Sequence, residues 1–274
     1  MTTPDLPSLQ QKKRLILLPA HNESMNLPRV LAWIRSVLPD VDILVVDDGS
    51  EDDTYAVAIA EGARAARHPI NLGYGAAIQT GYRYALEHGY HSLAQMDADG
   101  QHQPEDVARL FELLERDDVD LVLGSRFLPG SGPYPMPWLR RAGQAYMRTL
   151  VKLLSGKRFA DPTTGLQAMN RRVLWLFSSE AFPSDYPDAD VLVMVCKAGI
   201  RVVQTPASMR SREFGTSMHA GARWVYYLFR MTLSLLVIAL GRGFPALPPE
   251  FKRNDTVIQA DAKENAAEKE NSSV

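Results

Sequence analysis

Short apolar runs alternate with amphipathic segments of helical period along the first half of the chain, and the change of period marks the elements. Arg14 to Pro19 is an apolar run that predicts a strand. The polar loop Ala20-His21-Asn22-Glu23-Ser24 follows, and then a segment of helical period from Leu27 to Val37. Val41 to Val46 predicts a second strand, ending in Asp47-Asp48-Gly49-Ser50, and Asp52-Asp53-Thr54 supplies capping chemistry for another helix. The alternation continues with a helix over Ala76 to His88, a strand over Ser92 to Met96, a helix over Pro104 to Arg116 and a strand over Asp120 to Gly124. Strands that alternate with helices predict an α/β domain, a mostly parallel sheet flanked by helices. Polar residues gather where these strands end, at Asn22-Glu23, Asp47-Asp48, Asp97 to Asp99 and Ser125-Arg126. Ligands of open α/β sheets bind at that edge. The Gly- and Pro-rich stretch Pro129 to Pro137 reads as a loop, so the domain is expected to run unbroken from residue 13 to 218.

Beyond it the pattern changes. Trp224 to Leu240 is apolar apart from Arg230, Thr232 and Ser234, slightly short for a transmembrane span. At 100° per residue Arg223, Tyr227, Arg230, Ser234 and Gly241 fall on one stripe. An amphipathic helix within residues 219–244 is expected, lying in a membrane interface, with a true span or packing against protein as the alternatives. Residues 245–274 are rich in Pro, Ala, Glu, Lys and Asn and predict a disordered tail, while residues 1–12 predict a flexible N-terminus without the apolar core of a secretory signal. The expected location is therefore the cytoplasm, peripheral on the inner face of the membrane, with a membrane-protein partner left open.

Composition narrows the partners. The 274 residues are 46% hydrophobic, enough for a substantial core. A net charge of -2 and a pI near 6.3 argue against nucleic acid held by bulk electrostatics, so any bound phosphate must be met by placed arginines. The single cysteine, Cys196, lies in an apolar run and reads as a core thiol; no disulfide can form within the chain, which fits a reducing cytosol.

The chemistry concentrates at Met96-Asp97-Ala98-Asp99-Gly100-Gln101-His102, where an apolar run ends in paired carboxylates followed by an amide. Alternate residues of a strand share a face, so Asp97 and Asp99 are expected to point at one ion as the strand ends. Hard oxygen ligands select magnesium or manganese. A calcium loop would need glycine and glutamate where His102 and Ala108 stand, so an ion shared with a ligand's phosphates fits better. The glycines of Asn71 to Ile78 match a dinucleotide fingerprint poorly, because Ile78 holds the third glycine position and the motif does not follow the first strand. No Walker glycine-lysine loop is present.

Taken in order, the motifs Pro19-Ala20-His21-Asn22-Glu23, Val45 to Ser50 with Thr54, Gly73 to Gly81, Met96 to His102, Gly124-Ser125-Arg126 and Arg212 to Ser217 resemble family 2 glycosyltransferases. The resemblance is to the branch holding dolichol-phosphate mannose synthase and related bacterial polyprenyl-phosphate glycosyltransferases. It implies a GT-A fold and an inverting hexosyltransferase that uses a UDP- or GDP-sugar and Mn2+ or Mg2+. It also implies Pro19, Ala20, Asn22, Glu23, Asp47 or Asp48, Gly73 and Asp97 as donor contacts, and Asp97, Asp99 and Gln101 as the metal site. The acceptor would be a polyprenyl phosphate or other lipid, cradled by Arg126, Arg140 or Arg141, Arg212 and Ser217. Asp99, Arg126 and Asp190 are the expected catalytic groups. A hydroxyl acceptor would need a base, for which Asp188 and Asp190 are candidates, although Asp190 also suits a helix cap. A module that binds a nucleotide sugar without turnover is the further alternative. Tyr74 and Met218 stand where the family often has lysine.

Overall fold

A computed structural model describes residues 13–183, 187–210, 223–241 and 247–251. Strands β1 (Arg14–Ala20), β2 (Asp42–Asp47), β3 (Arg64–Arg67), β4 (Ser92–Gln95), β5 (Leu121–Ser125), β6 (Gln167–Asn170) and β7 (Val202–Pro206) form one sheet in the order β3-β2-β1-β4-β6-β5-β7. All pairings are parallel except those of β6, which runs antiparallel to both β4 and β5. The chain leaves β1 toward β2 on one side and reaches β4 on the other, so the carboxyl ends of β1 and β4 flank the point where strand order reverses. That crevice is where ligands of open α/β sheets sit.

Side chains of β1 alternate between two cores. Leu15 and Leu17 join one apolar cluster, while Ile16 and Leu18 join the other, as a strand's period of two dictates. Helices α1 (Leu27–Val37) and α4 (Pro104–Leu114) cover the second face, beside the short α2 (Thr54–Ala60). The first face carries α3 (Tyr74–Glu87), α5 (Trp138–Ser155), α6 (Arg171–Phe177), α7 (Ala189–Lys197) and α8 (Arg223–Leu240). The predicted elements of the first half are all present, with ends shifted by a residue or two. One capping expectation changes: Asp52, not Asp53, accepts from the Thr54 amide, and its other oxygen accepts from the Ser24 amide.

The C-terminal expectations need correction in two places. Helix α8 packs against α5 and α7 through Met231, Leu235 and Ile238, and its opposite face exposes Phe229, Leu233 and Val237. The polar stripe does not all face solvent, because Ser234 donates to a carboxylate of α7. Lys197 of α7 donates to the Ile238 and Ala239 carbonyls and so satisfies groups left open at the end of α8. No helix among the described residues is long and apolar enough to cross a membrane. The predicted tail is the second: within it Leu247 is buried and Phe251 meets Trp175 at a ring distance of 6.4 Å, while residues 252–274 lie outside the described residues. These two apolar residues give an otherwise polar segment something to bury.

Candidate active site

The loop after β1 is fastened to the loop after β2. Asn22 adopts a left-handed backbone, φ +58°, which asparagine tolerates better than most residues. Its amide donates to Ser50 Oγ and its side-chain oxygen accepts from the Glu51 amide, both at 2.9 Å. The Glu23 amide donates to Thr54 Oγ1, while the buried Glu23 carboxylate accepts from Asn26 at 2.5 Å. His21 Nδ1 lies 3.0 Å from the Asp48 carbonyl, an obligate acceptor, so Nδ1 carries the proton. Nε2 then accepts from Asn22 and Asn71. Pro19 and Ala20 form the end of β1, and the Ala20 carbonyl accepts from the Asp48 amide.

The structure separates the two aspartates at the end of β2. Asp48 is consumed by the fold: its carboxylate accepts from His68 Nδ1 at 2.7 Å, the Leu72 amide at 2.9 Å and the Gly73 amide at 2.8 Å. It shapes the loop leading to α3, so this expected donor contact is taken up within the chain. Gly49 permits that loop to pass, because its φ is +67° and a Cβ there would lie 2.4 Å from the Ile70 carbonyl carbon. Asp47 differs. Its Oδ1 accepts from the Ser50 amide, but its buried Oδ2 makes no hydrogen bond and lies 3.2 Å from Arg67 Nε in an ion pair without hydrogen-bond alignment. A buried acceptor left open in this way marks Asp47 as the carboxylate with capacity for a ligand's N–H or O–H.

The paired carboxylates lie on a turn and not on the strand. Strand β4 ends at Gln95, and the chain turns through Asp97 to Gly100, where φ is +76°. The expected mechanism of alignment, strand alternation, is thereby corrected: Asp99 is held because its Oδ1 accepts from the Gln101 amide at 2.9 Å. The Asp97 amide donates to His102 Nδ1 at 3.0 Å, which closes the turn from the other side. Gln101 Nε2 donates to the Arg210 carbonyl at 3.0 Å, so its Oε1 is the end available to a cation. Among the described residues no cluster of three His, Cys, Asp or Glu could hold a metal alone. Asp97, Asp99 and Gln101 offer only hard oxygens and too few to enclose an ion, a set that fits magnesium or manganese sharing its shell with phosphate.

On the acceptor side Arg126 is already paired. Its Nε and Nη2 form a fork on Asp161 at 2.6 and 2.7 Å, and Nη2 also donates to the carbonyl and hydroxyl of Thr163. Gln144 of α5 donates to the same Asp161 at 3.0 Å. Burial alone would lower the pKa of Arg126, but the Asp161 carboxylate outweighs it and holds the group above its ordinary value. Arg126, expected as a phosphate-binding and catalytic group, thus joins α5 to the end of β5 through Asp161. Arg140 and Arg141 occupy the first turn of α5, and Arg212 and Ser217 lie outside the described residues.

Asp190, the expected base, is fastened into the fold at the start of α7. It is 1% exposed; its Oδ1 accepts from the Asp188 and Val191 amides, and its Oδ2 from Ser234 of α8 at 2.5 Å. Burial pushes its pKa up to about 6, against the opposing effect of the Ser234 hydroxyl and with a further push from Asp188. Because that lies above the ordinary 3.8, the folded protein keeps a proton that the unfolded chain has released. The stability this contributes is present below about pH 4 and lost as pH rises through about 6. Asp190→Asn keeps both acceptor contacts and can donate to Ser234. Urea unfolding should show the variant gaining on the native chain between pH 4 and pH 7 by on the order of 2 to 3 kcal/mol, with sugar transfer retained. Loss of turnover with no change in that pH dependence would restore Asp190 as a base.

Several site residues escaped the sequence reading. Asp161, Thr163 and Gly165 stand in Asp161-Pro162-Thr163-Thr164-Gly165, a turn signal directly before β6 that could have marked them. Gln95 is buried inside an apolar run, and an amide there signals a polar network.

Comparison with known proteins agrees with this geometry. The chain is 32% identical over 228 residues to the polyprenol monophosphomannose synthase of Mycolicibacterium smegmatis, covering 80% of this chain and 86% of that one. It is 35% identical over 221 residues to the undecaprenyl-phosphate mannosyltransferase of Micrococcus luteus, covering 76% and 87%. A crystal structure of glucosyl-3-phosphoglycerate synthase from Mycobacterium tuberculosis, in complex with Mn2+, UDP and glucosyl-3-phosphoglycerate, superimposes with a TM-score of 0.64 at 22% identity over 85% of this chain and 81% of that one, which shows a shared GT-A fold. The family model for glycosyl transferase family 2 matches residues 15–177, from β1 through the Asp97–Gln101 turn and the Arg126–Asp161 clamp to the end of α6, and the chain belongs to that family.

Proposed function

We propose that this protein transfers a hexose from a UDP- or GDP-sugar, with inversion, to a polyprenyl phosphate at the cytosolic face of a membrane. The observation that carries the reading is that Asp47, Asn22 and the Asp97–Gln101 turn follow or close the adjoining parallel strands β2, β1 and β4 at one carboxyl edge of the sheet. Asp47 receives a donor group of the nucleoside through its open Oδ2, with Asn22 and the loop behind it holding that wall of the crevice. Asp97, Asp99 and Oε1 of Gln101 would hold manganese or magnesium, which supplies Lewis-acid stabilisation to the departing diphosphate. As the bond between the anomeric carbon and the diphosphate breaks, an acceptor phosphate oxygen forms its bond from the opposite face. A phosphate is already anionic and needs no proton removed, which agrees with Asp190 being fully engaged in the fold. With Arg126 clamped, the acceptor phosphate falls to Arg140, Arg141 and Arg212.

The names of the two relatives, a polyprenol monophosphomannose synthase and an undecaprenyl-phosphate mannosyltransferase, support a lipid phosphate as acceptor. Helices α5 and α8, tied by Tyr146 and Thr232 at 3.1 Å, support the membrane placement. Trp138 and Leu153 on α5 and Phe229, Leu233, Val237 and Leu240 on α8 are exposed, and neither helix contains an acidic residue. Apolar faces flanked by Arg140, Arg141 and Lys152 suit an anionic bilayer surface. Asp188 favours a second reading, a hydroxyl acceptor, because it is partly buried and close enough to Tyr74 to raise the phenol's pKa.

Thermal unfolding with manganese and each of the UDP-, GDP- and TDP-hexoses tests the donor. One nucleotide class should raise Tm, since a ligand held only by the native state stabilises it. No rise with any of them would remove the nucleotide-sugar reading.

A further inference from the structure

A buried hydrogen-bond chain runs from the centre of the sheet to Asp97. Gln95 closes β4, and its amide is fully used. Oε1 accepts from the Tyr82 hydroxyl and from Gln167 Nε2, the latter at 3.2 Å. Nε2 donates to the Gly165 carbonyl at 3.1 Å and to the Tyr74 hydroxyl oxygen at 2.7 Å. Which end of a glutamine amide carries nitrogen is fixed by its partners. The Gly165 carbonyl can only accept, so nitrogen must face it, and the second N–H then goes to Tyr74. Because Tyr74 accepts there, its own O–H points to the remaining neighbour, Asp97 Oδ1, at 3.4 Å, the long end of hydrogen bonding. Both ends of the chain are obligate acceptors, a carbonyl and a carboxylate, so its direction is determined.

Among the described residues the other surroundings of Asp97 leave Oδ2 open. His102 Nδ1 is 3.8 Å from it, but that nitrogen is occupied by the Asp97 amide. Gly165 presses on the pair from the side: a Cβ there would lie 3.2 Å from the Tyr74 hydroxyl and 3.4 Å from Asp97 Oδ1.

We infer that Tyr74 is a positioning residue for the divalent ion: its hydroxyl occupies Oδ1 of Asp97 and reserves Oδ2 for the cation, with Gln95 fixing the direction of the proton. The inference rests on the nucleotide-sugar reading of the Asp97–Gln101 turn. It gives Tyr74, where relatives often carry a cation, a different task from contacting phosphate. Groups that orient a metal ligand from behind are worth about 10- to 100-fold in metal affinity.

Manganese binding followed by the electron paramagnetic resonance of free Mn2+, with UDP or GDP present and no sugar turned over, tests it. Tyr74→Phe removes only the hydroxyl. Its Mn2+ dissociation constant should rise by roughly tenfold while binding of nucleotide without metal is unchanged. Gly165→Ala should act in the same direction by pushing the hydroxyl off Asp97; Gly165 is not in a left-handed conformation, so the backbone accepts alanine. Circular dichroism reports whether each variant folds, and either folded variant decides the question. Native affinity for Mn2+ in a folded variant would overturn the inference, as would lowered Tm with unchanged metal affinity. If the native chain itself binds no Mn2+ with either nucleotide, the nucleotide-sugar reading fails instead.

Discussion

Asp99→Ala is expected to lower sugar transfer by on the order of a thousandfold, about the loss that follows removal of one well-placed electrostatic group from an active site. Asp99 has two tasks, and the variant removes both. Its Oδ1 accepts from the Gln101 amide and holds the turn, and its charge completes the pair offered to the cation. Asp99→Asn separates them, because the amide oxygen still accepts from Gln101 while the charge is gone. Transfer should fall nearly as far in Asp99→Asn as in Asp99→Ala, and raising manganese should recover more of it in the asparagine variant. Undiminished transfer in either variant, measured by labelled sugar entering the lipid phase, would remove Asp99 from the metal site.

Asp161→Ala should have the largest effect on stability. Asp161 is 1% exposed and anchors the Arg126 fork, the Arg126 amide and Gln144. Removing it leaves a guanidinium buried against Phe127 and Tyr134 without its counter-charge. Breaking one side of such a pair costs about 3 to 5 kcal/mol, a fall in Tm of roughly 10 °C for a chain of this size. The double replacement of Arg126 and Asp161 by leucine should recover much of that loss, since an apolar pair needs no charge partner. If Asp161→Ala unfolds within 1–2 °C of the native chain, the clamp is not structural and Arg126 returns as a phosphate ligand.

The pattern that predicted β1, α1, β2, β4 and α4 was legible because the strands are continuous apolar runs buried on both faces and each helix buries one apolar face. Helix α5 was missed for the opposite reason. Its buried positions include Gly143 and Gln144, while Trp138, Leu139, Tyr146 and Leu153 point outward, so its apolar positions do not coincide with its buried face. Strand β3 was missed because Arg64-Ala65-Ala66-Arg67 is a short charged edge strand with little apolar signal. The order of motifs singled out Asp97, Asp99 and Gln101, but as the end of a strand and not as the turn that follows it. What it could not supply was the state of each charged group, because partners distant in sequence decide that. Asp48 is taken by His68 and the Leu72 and Gly73 amides, Arg126 by Asp161, and Asp190 by Ser234 of α8, each a contact between separate elements. Asp47 differs in that its Oδ2 found no aligned donor.

The central claim is that an anionic lipid phosphate, and not a hydroxyl, receives the sugar. Native protein given the nucleotide sugar that raises its Tm, with manganese, should move labelled hexose onto polyprenyl phosphate in anionic vesicles and leave the corresponding free polyprenol unlabelled. Equal or preferred labelling of the free alcohol would contradict the account and assign Asp188 as the base.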